Sequence, residues 1–342
     1  MTTAAELASY ASSFPSFRNR IINGNFDIWQ RGESQQSSGY GSADRWQNYH
    51  SGSTKTASRG AFTVGQTEVP GNPKYYLHHE VSSVTGAGNL VLLIQRIEGV
   101  QTLAGQTVTL SFWAKADSNK NIATEFLQNF GSGGSPSAAV TTIGVTTHNL
   151  TTSWQKFTAT VSIPFISGKT IGSDNNDWIG LYFWFDAGSN YNSRTNSLGQ
   201  QSGTFDIAQV QLEEGTVATP FEHRPISVEL SLAQRYLPAF IGNNNMICNG
   251  SGYDSNNTRF RVVFPVQTRV PATGLVVSSA AHFSVESGSG SLTACGGLSI
   301  ASSGVNGASI SANHTGGGAT NAAMALFSNN ASSVLYFTGC EL

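Results

Sequence analysis

The sequence predicts an all-β protein: an antiparallel β-sandwich, then a short helix, then a second, smaller β domain. Three observations carry this. Between residues 19 and 212, stretches of alternating apolar and polar residues recur, separated by Gly/Ser/Asn-rich loops, with hardly a helical pattern among them. Between residues 205 and 240 the period changes from 2 to about 3.6. From residue 241 onward charge nearly disappears while short strand patterns continue.

Taken in order, residues 1–18 are weakly helical, with Ala4, Ala5, Leu7, Ala8 and Ala11 before Pro15. A peptide of that length is not stable alone in water, so it is either a loose tip or an attachment peptide that orders against a partner. Residues 19–225 form the expected sandwich. After an opening stretch from Asn19 to Trp46, strands are expected at 75–80, 91–95, 107–115, 122–130, 154–163, 178–186 and 205–212. In 107–115, Val108, Leu110, Phe112 and Ala114 make the core face, leaving Trp113 and Lys115 outward. In 154–163 the core set is Phe157, Ala159, Val161 and Ile163, with Trp154 and Lys156 outward. In 178–186 it is Ile179, Leu181, Phe183 and Phe185. In the last strand Val210 and Leu212 are expected to share a face with Asp206 and Ala208, with Gln209 and Gln211 opposite.

Pro220 and Pro225 then hold an extended connector, because proline fixes its own φ and steers the preceding residue away from helix. Residues 226–240 read as a helical linker. Ile226, Leu230, Ala233 and Leu237 share a stripe that Pro238 ends, and so short a helix must pack on something. Residues 241–342 carry six formal charges, Asp254, Arg259, Arg261, Arg269, Glu286 and Glu341, and none between Ser287 and Cys340. Such a surface suits burial by symmetry mates, with an ordinary lone β-sandwich as the alternative. Leu230 and Leu237 are the expected oligomer-interface residues.

Composition excludes several functions. Of 342 residues only 11% are charged, and the net charge of −2 offers no basic footprint for nucleic acid. No apolar run is long enough for a membrane helix, and the first residues do not read as a secretory signal. Cys248, Cys295 and Cys340 lack metal-type spacing and read as buried or free thiols. No HExxH, GxSxG, P-loop or GxGxxG is present. His78 and His79 are strand neighbours and point to opposite faces, which argues against a shared metal. Glu98, Glu125 and Asp186 are acids that a glycan hydrolase could use, but nothing in their spacing pairs them. Ser173, Asp174 and Asp177 could offer oxygens to Ca²⁺ or form a polar turn.

The strand at 178–186 supplies the candidate site. Trp178, Tyr182, Trp184 and Asp186 share the face opposite the core. Rings on such a face need a cover: a loop, a partner chain or a ligand. Flat rings beside polar groups suit a sugar, whose C–H face stacks while its hydroxyls hydrogen-bond. Trp113 and Lys115 join them as candidate carbohydrate-binding residues. Inter-subunit contact, or cover by the 188–203 loop, are the alternatives.

Several motifs together resemble bacteriophage tail-fibre or receptor-binding structural proteins. They are Asn19-Arg-Ile-Ile-Asn-Gly24-Asn-Phe, Ala43-Asp44-Arg45-Trp46, Leu110-Ser-Phe-Trp113-Ala-Lys-Ala, Trp154-Gln-Lys-Phe-Thr, and the run from Phe205 through Thr219-Pro-Phe-Glu-His-Arg-Pro. Arg235-Tyr236 and Phe264-Pro-Val-Gln-Thr-Arg269-Val-Pro271 resemble the segment that follows in such chains, so the likeness spans roughly residues 19–275. It implies a jelly-roll domain similar to carbohydrate-binding modules, in a non-catalytic virion appendage made in the host cytoplasm. That appendage would be a homotrimer, attached to other virion proteins and to host cell-surface polysaccharide. A purely architectural collar, head or tail fibre and a polysaccharide-degrading tailspike are the alternatives. Jelly rolls of this kind often hold a structural Ca²⁺ near their first and last strands, where Asp206 falls; otherwise no cofactor is implied.

Overall fold

The computed structural model describes residues 17–242, 245–287, 290–316 and 320–342. The expected attachment peptide therefore lies outside the described residues except for Phe17 and Arg18. The chain is organised as two units. One comprises residues 33–224 with the N-terminal segment to Asp27 and the final Leu342, and the other Ile28–Gly32 with Pro225–Glu341.

The first unit is an antiparallel two-sheet sandwich. Its strands are β1 (Ser34–Gln35), β2 (Gln47–Ser51), β3 (Thr54–Ala61), β4 (Tyr75–Ser82), β5 (Leu90–Glu98), β6 (Thr107–Ala116), β7 (Lys120–Asn129), β8 (Val140–Leu150), β9 (Gln155–Ser162), β10 (Trp178–Ala187) and β11 (Gly203–Glu214). One sheet has the order β1-β3-β4-β11-β6-β9 and the other β2-β5-β10-β7-β8. The last two strands thus insert between early ones, β11 between β4 and β6 and β10 between β5 and β7, which is the jelly-roll pattern.

Alternation explains the core. Val108, Leu110, Phe112 and Ala114 of β6 are fully buried, as are Ile179, Leu181, Phe183 and Phe185 of β10. Across the sandwich the Phe112 and Phe183 rings meet edge-to-face, with centroids 5.1 Å apart. Phe185 meets Phe205 of β11 at 5.2 Å. Each such side chain contributes about 1.5–3 kcal/mol by leaving water.

The face assignment for β11 is corrected. Pairing with β6 is regular from Phe205 to Ala208 and again from Gln211, but slips between Ala208 and Gln211. Gln209 sits there at φ +48°. This bulge flips the parity. Phe205 and Ile207 face the core with Val210 and Leu212, whereas Asp206 and Ala208 lie on the outer face with Gln211.

The bulge also explains two sequence motifs. Val210 N–H donates to Gly24 O at 2.9 Å, and its carbonyl accepts Asn19 Nδ2 at 3.2 Å. A Cβ on Gly24 would stand 2.1 Å from that carbonyl, so only glycine allows the approach. Glu222 accepts the backbone N–H of Phe17, Arg18 and Asn19, and Arg224 donates to the carbonyls of Asn19 and Ile21. Trp46 Nε1 donates to Asn23 O, and Asn23 Nδ2 returns a bond to Asp44 O. The opening motif, the Asp44-Arg45-Trp46 motif and the connector therefore fasten one another.

In the second unit, helix α2 spans Ile226–Gln234, after a short α1 (Asn192–Thr195) in the first unit. A three-stranded sheet joins β12 (Ala239–Ile241), β20 (Val334–Thr338) and β15 (Gly274–Val277). The remaining strands close a barrel in the order β13-β14-β18-β17-β16-β19. These are β13 (Met246–Gly252), β14 (Asn257–Val263), β16 (Phe283–Ser287), β17 (Leu292–Gly304), β18 (Gly307–His314) and β19 (Ala323–Ser328). Closure removes free sheet edges, the liability of a charge-poor β domain. The three cysteines are free and buried, and burial pushes the Cys248 and Cys295 thiols up to about 12.

Leu237 is corrected as an interface residue. It is fully buried within the chain, and its N–H continues the helix to Ala233 O at 3.1 Å. Leu230 is half-buried, and Ile226 at the head of the same stripe is 60% exposed.

Candidate functional site

All ten residues of β10 are buried, because both of its faces are covered. The face carrying Trp178, Tyr182 and Trp184 is covered by Tyr191 and Leu198 of the segment that contains α1 and by Leu342, whereas a bulge between Trp184 and Asp186 moves Asp186 to the opposite face and puts Ala187 beside Trp184. Glu125 on neighbouring β7 faces the same way as the rings and is fully buried. Its Oε1 accepts Arg194 Nε at 2.9 Å and Thr142 N at 2.7 Å. Its Oε2 accepts Arg194 Nη2 at 2.8 Å and Trp184 Nε1 at 3.1 Å. The Arg194 guanidinium lies 4.9 Å from the Trp184 ring centroid and 5.6 Å from that of Tyr182. Tyr191 covers Trp184 at 5.2 Å, and burial pushes the Tyr182 phenol up to about 12. Asp186 accepts Ser53 Oγ, Ser83 Oγ and Gln201 N.

This corrects the site expected from sequence. Trp178, Tyr182 and Trp184 are brought together, but as an internal layer rather than an open platform, and Asp186 is turned away from them by the β10 bulge. Of the acids weighed for hydrolysis, Glu125 is bound into this layer by Trp184 and Arg194, and Asp186 is held apart from it by Ser53, Ser83 and Gln201.

Trp113 and Lys115 lie elsewhere, on the outer face of the six-stranded sheet. The 62–74 loop folds over that face. Phe62, Tyr76 and Trp154 pack there with centroids 5.0–5.4 Å apart, joined by Val69, Ala208 and Trp113. Lys115 Nζ stands 5.3 Å from the Trp154 ring and 3.7 Å from Asp206 Oδ2. Asp206 Oδ1 pairs with His78 Nδ1 at 2.6 Å. That hydrogen bond raises the His78 pKa above its usual value. The Asp206 carboxylate, expected near a Ca²⁺ ion, is thus occupied by two nitrogen partners. Among the described residues no group of three or more His, Cys, Asp or Glu side chains could hold a metal. Asp174 of the 173–177 turn accepts Ser132 Oγ, and Asp177 accepts Val100 N.

Beside Trp113 the outer face opens into a cleft of about 550 Å³. Its lining includes Trp113, Ser111, Gln209, Lys156, Phe221 and His223. Their placement follows from the chain. Trp113 pairs across strands with Ala208 on one side, whose small side chain leaves the ring uncovered, and with Lys156 on the other. The bulge turns Gln209 outward, where its Nε2 donates to Pro70 O at 2.7 Å. The proline-held connector alternates. Glu222 and Arg224 turn toward the N-terminal segment, while Phe221 and His223 turn to the cleft, their rings edge-to-face at 5.1 Å. A Cβ on Gly71, at φ +79°, would meet His223 Nε2 at 2.6 Å, so glycine lets the ring lie there.

Trp113 and the outward Lys156 were legible in strand alternation, whereas Gln209, Phe221 and His223 were not among the expected site residues. The period of 2 across Phe221-Glu-His-Arg was the available signal.

No family model matches the chain, and no curated protein matches it. Several solved structures do. One described as CBM4 is 21% identical, with a TM-score of 0.32, over 57% of this chain and 99% of that one. The N-terminal cellulose-binding domain of Cellulomonas fimi β-1,4-glucanase C is 16% identical, with a TM-score of 0.31, over 56% and 100%. The enzymatically active domain of tailspike protein 4 from bacteriophage CBA120 is 12% identical, with a TM-score of 0.33. That match covers 58% of this chain and 22% of the tailspike domain.

Proposed function

We propose that the first unit is a non-catalytic glycan-binding domain whose site is the Trp113 cleft, and that the chain is a structural appendage of a bacteriophage virion that attaches to host-surface polysaccharide. The observation that carries the glycan reading is the cleft itself. It combines an aromatic floor with hydrogen-bonding groups of both kinds from Ser111, Gln209 and His223. Aromatic faces stack on the C–H face of a sugar, and neighbouring polar groups bind its hydroxyls. The virion reading is supported by the number and order of the fibre-like motifs. Host polysaccharide binding should fall at least tenfold in Trp113→Ala and in Phe221→Ala while the melting temperature holds. Unchanged binding in both folded variants would remove the cleft as the site.

A homotrimer built through the second unit belongs to the same proposal. Val263, Leu292, Met246 and Ile241 are each more than half exposed on a unit almost without charge. Light scattering on the intact protein should give three times the chain mass. A monomer at micromolar concentration would refute it.

A further inference from the structure

We infer that the ligand of the Trp113 cleft is an acidic glycan, one whose sugars carry a carboxylate. This rests on the glycan reading above and narrows it. Lys156 is the formally charged side chain lining the cleft, His223 adds an imidazole, and no carboxylate lines it. Lys156 is the cross-strand partner of Trp113, so an ammonium stands beside the stacking ring. A sugar laid on Trp113 presents its ring substituents sideways, toward that charge. Lys156 is exposed, and its Nζ reaches Thr219 O only at 3.5 Å, which leaves it free to turn to a ligand. His223 faces it from the connector and donates through an imidazole N–H.

The nearby acids are engaged elsewhere. Asp206 is paired with His78 and Lys115. Glu213 accepts Thr219 N and Oγ1, and Glu222 accepts the N-terminal N–H groups. Asp27 acts electrostatically on His223 but is held by Asn25 Nδ2 at 2.8 Å and does not line the cleft. The local field therefore favours an anion, although the chain as a whole is slightly acidic. Lys156 is exposed, so its charge adds modest affinity and more selectivity.

The test uses the full chain with polygalacturonate, hyaluronate and polysialate, each beside its carboxyl-reduced neutral form, by titration calorimetry. At least one acidic polymer should bind more tightly than its neutral form. Lys156→Gln should weaken the acidic polymer about three- to fivefold and leave the neutral one unchanged. The preference for acid should shrink as salt rises from about 50 to about 500 mM, while the stacking contribution persists. Lys169→Gln, outside the cleft, should behave as wild type. If neutral and acidic forms bind equally and both need Trp113 and Phe221, the acidic class is wrong and the glycan site stands. If none of these polymers binds, both readings fall.

Discussion

Arg194, half-buried over the Trp184 ring, is central to the aromatic layer of β10. It is the cationic partner of a fully buried carboxylate, Glu125, and its own side chain is only 23% exposed. Removing one member of a buried pair leaves the other charge unpaired, a loss of about 3–5 kcal/mol. Arg194→Ala should therefore lower the urea midpoint sharply. Glu125→Gln with Arg194→Ala should cost less than the two single changes summed. Histidines set a second prediction at this scale. Burial lowers His148 to about 4 and holds His79 well below its usual range. The unfolded chain then binds more protons than the folded one between about pH 6.5 and 4, so stability falls as pH drops through that window. His78, raised by Asp206, works in the opposite sense. Its contribution is full below its unfolded pKa of about 6.5 and fades as pH rises through the folded value. His148→Gln should flatten the acid limb of the stability–pH curve while losing the Thr124 hydrogen bond, 2.9 Å in the native chain.

At the scale of elements, the β11 bulge and the connector after it build the cleft and hold the N-terminal segment. Gly24→Ala would force Cβ into the Val210 carbonyl, and should lose about 1–3 kcal/mol, read by thermal melting. Leu237→Ala should cost about 2–5 kcal/mol in the second unit through the cavity it leaves, with no change in solution mass. Strands were legible here because a period of 2 is local. Val108 to Ala114 and Ile179 to Phe185 were placed on the core face correctly for that reason. The bulge was not legible. Its extra residue is stabilised by partners, Gly24 and Asn19, that lie nearly two hundred positions away in sequence. One inserted residue inverts every later face, which is why Asp206 and Val210 were assigned to the same side.

For the whole molecule, the two-unit organisation makes the point of cleavage matter. A cut after Gly215 would remove Thr219, Glu222 and Arg224, which bind Glu213 and the first residues of the sandwich. A sandwich fragment ending at Arg224 should melt about 5 °C or more above one ending at Gly215. Equal melting temperatures would mean that the connector does not brace the fold. Strand pairing in the second unit runs around a closed ring, and Phe260, Phe283, Ile310 and Leu326 of its strands are buried in one cluster.

The sequence by itself determined seven of the sandwich strands, from β4 to β11 without β8, the core faces of β6 and β10, the all-β class and the helix after Pro225, because each is written in near-neighbour periodicity; β2, β3 and β8 were not legible in it. It also determined that Trp178, Tyr182 and Trp184 share a face needing a cover. Only the tertiary structure decided what the cover is. The segment carrying Arg194 lies over those rings and turns them into core, while Ala208, the bulge and the connector leave Trp113 facing a cleft. Alternation reports that a strand has two faces; burial of the second face depends on chain segments brought in from far along the sequence, and that information is not local.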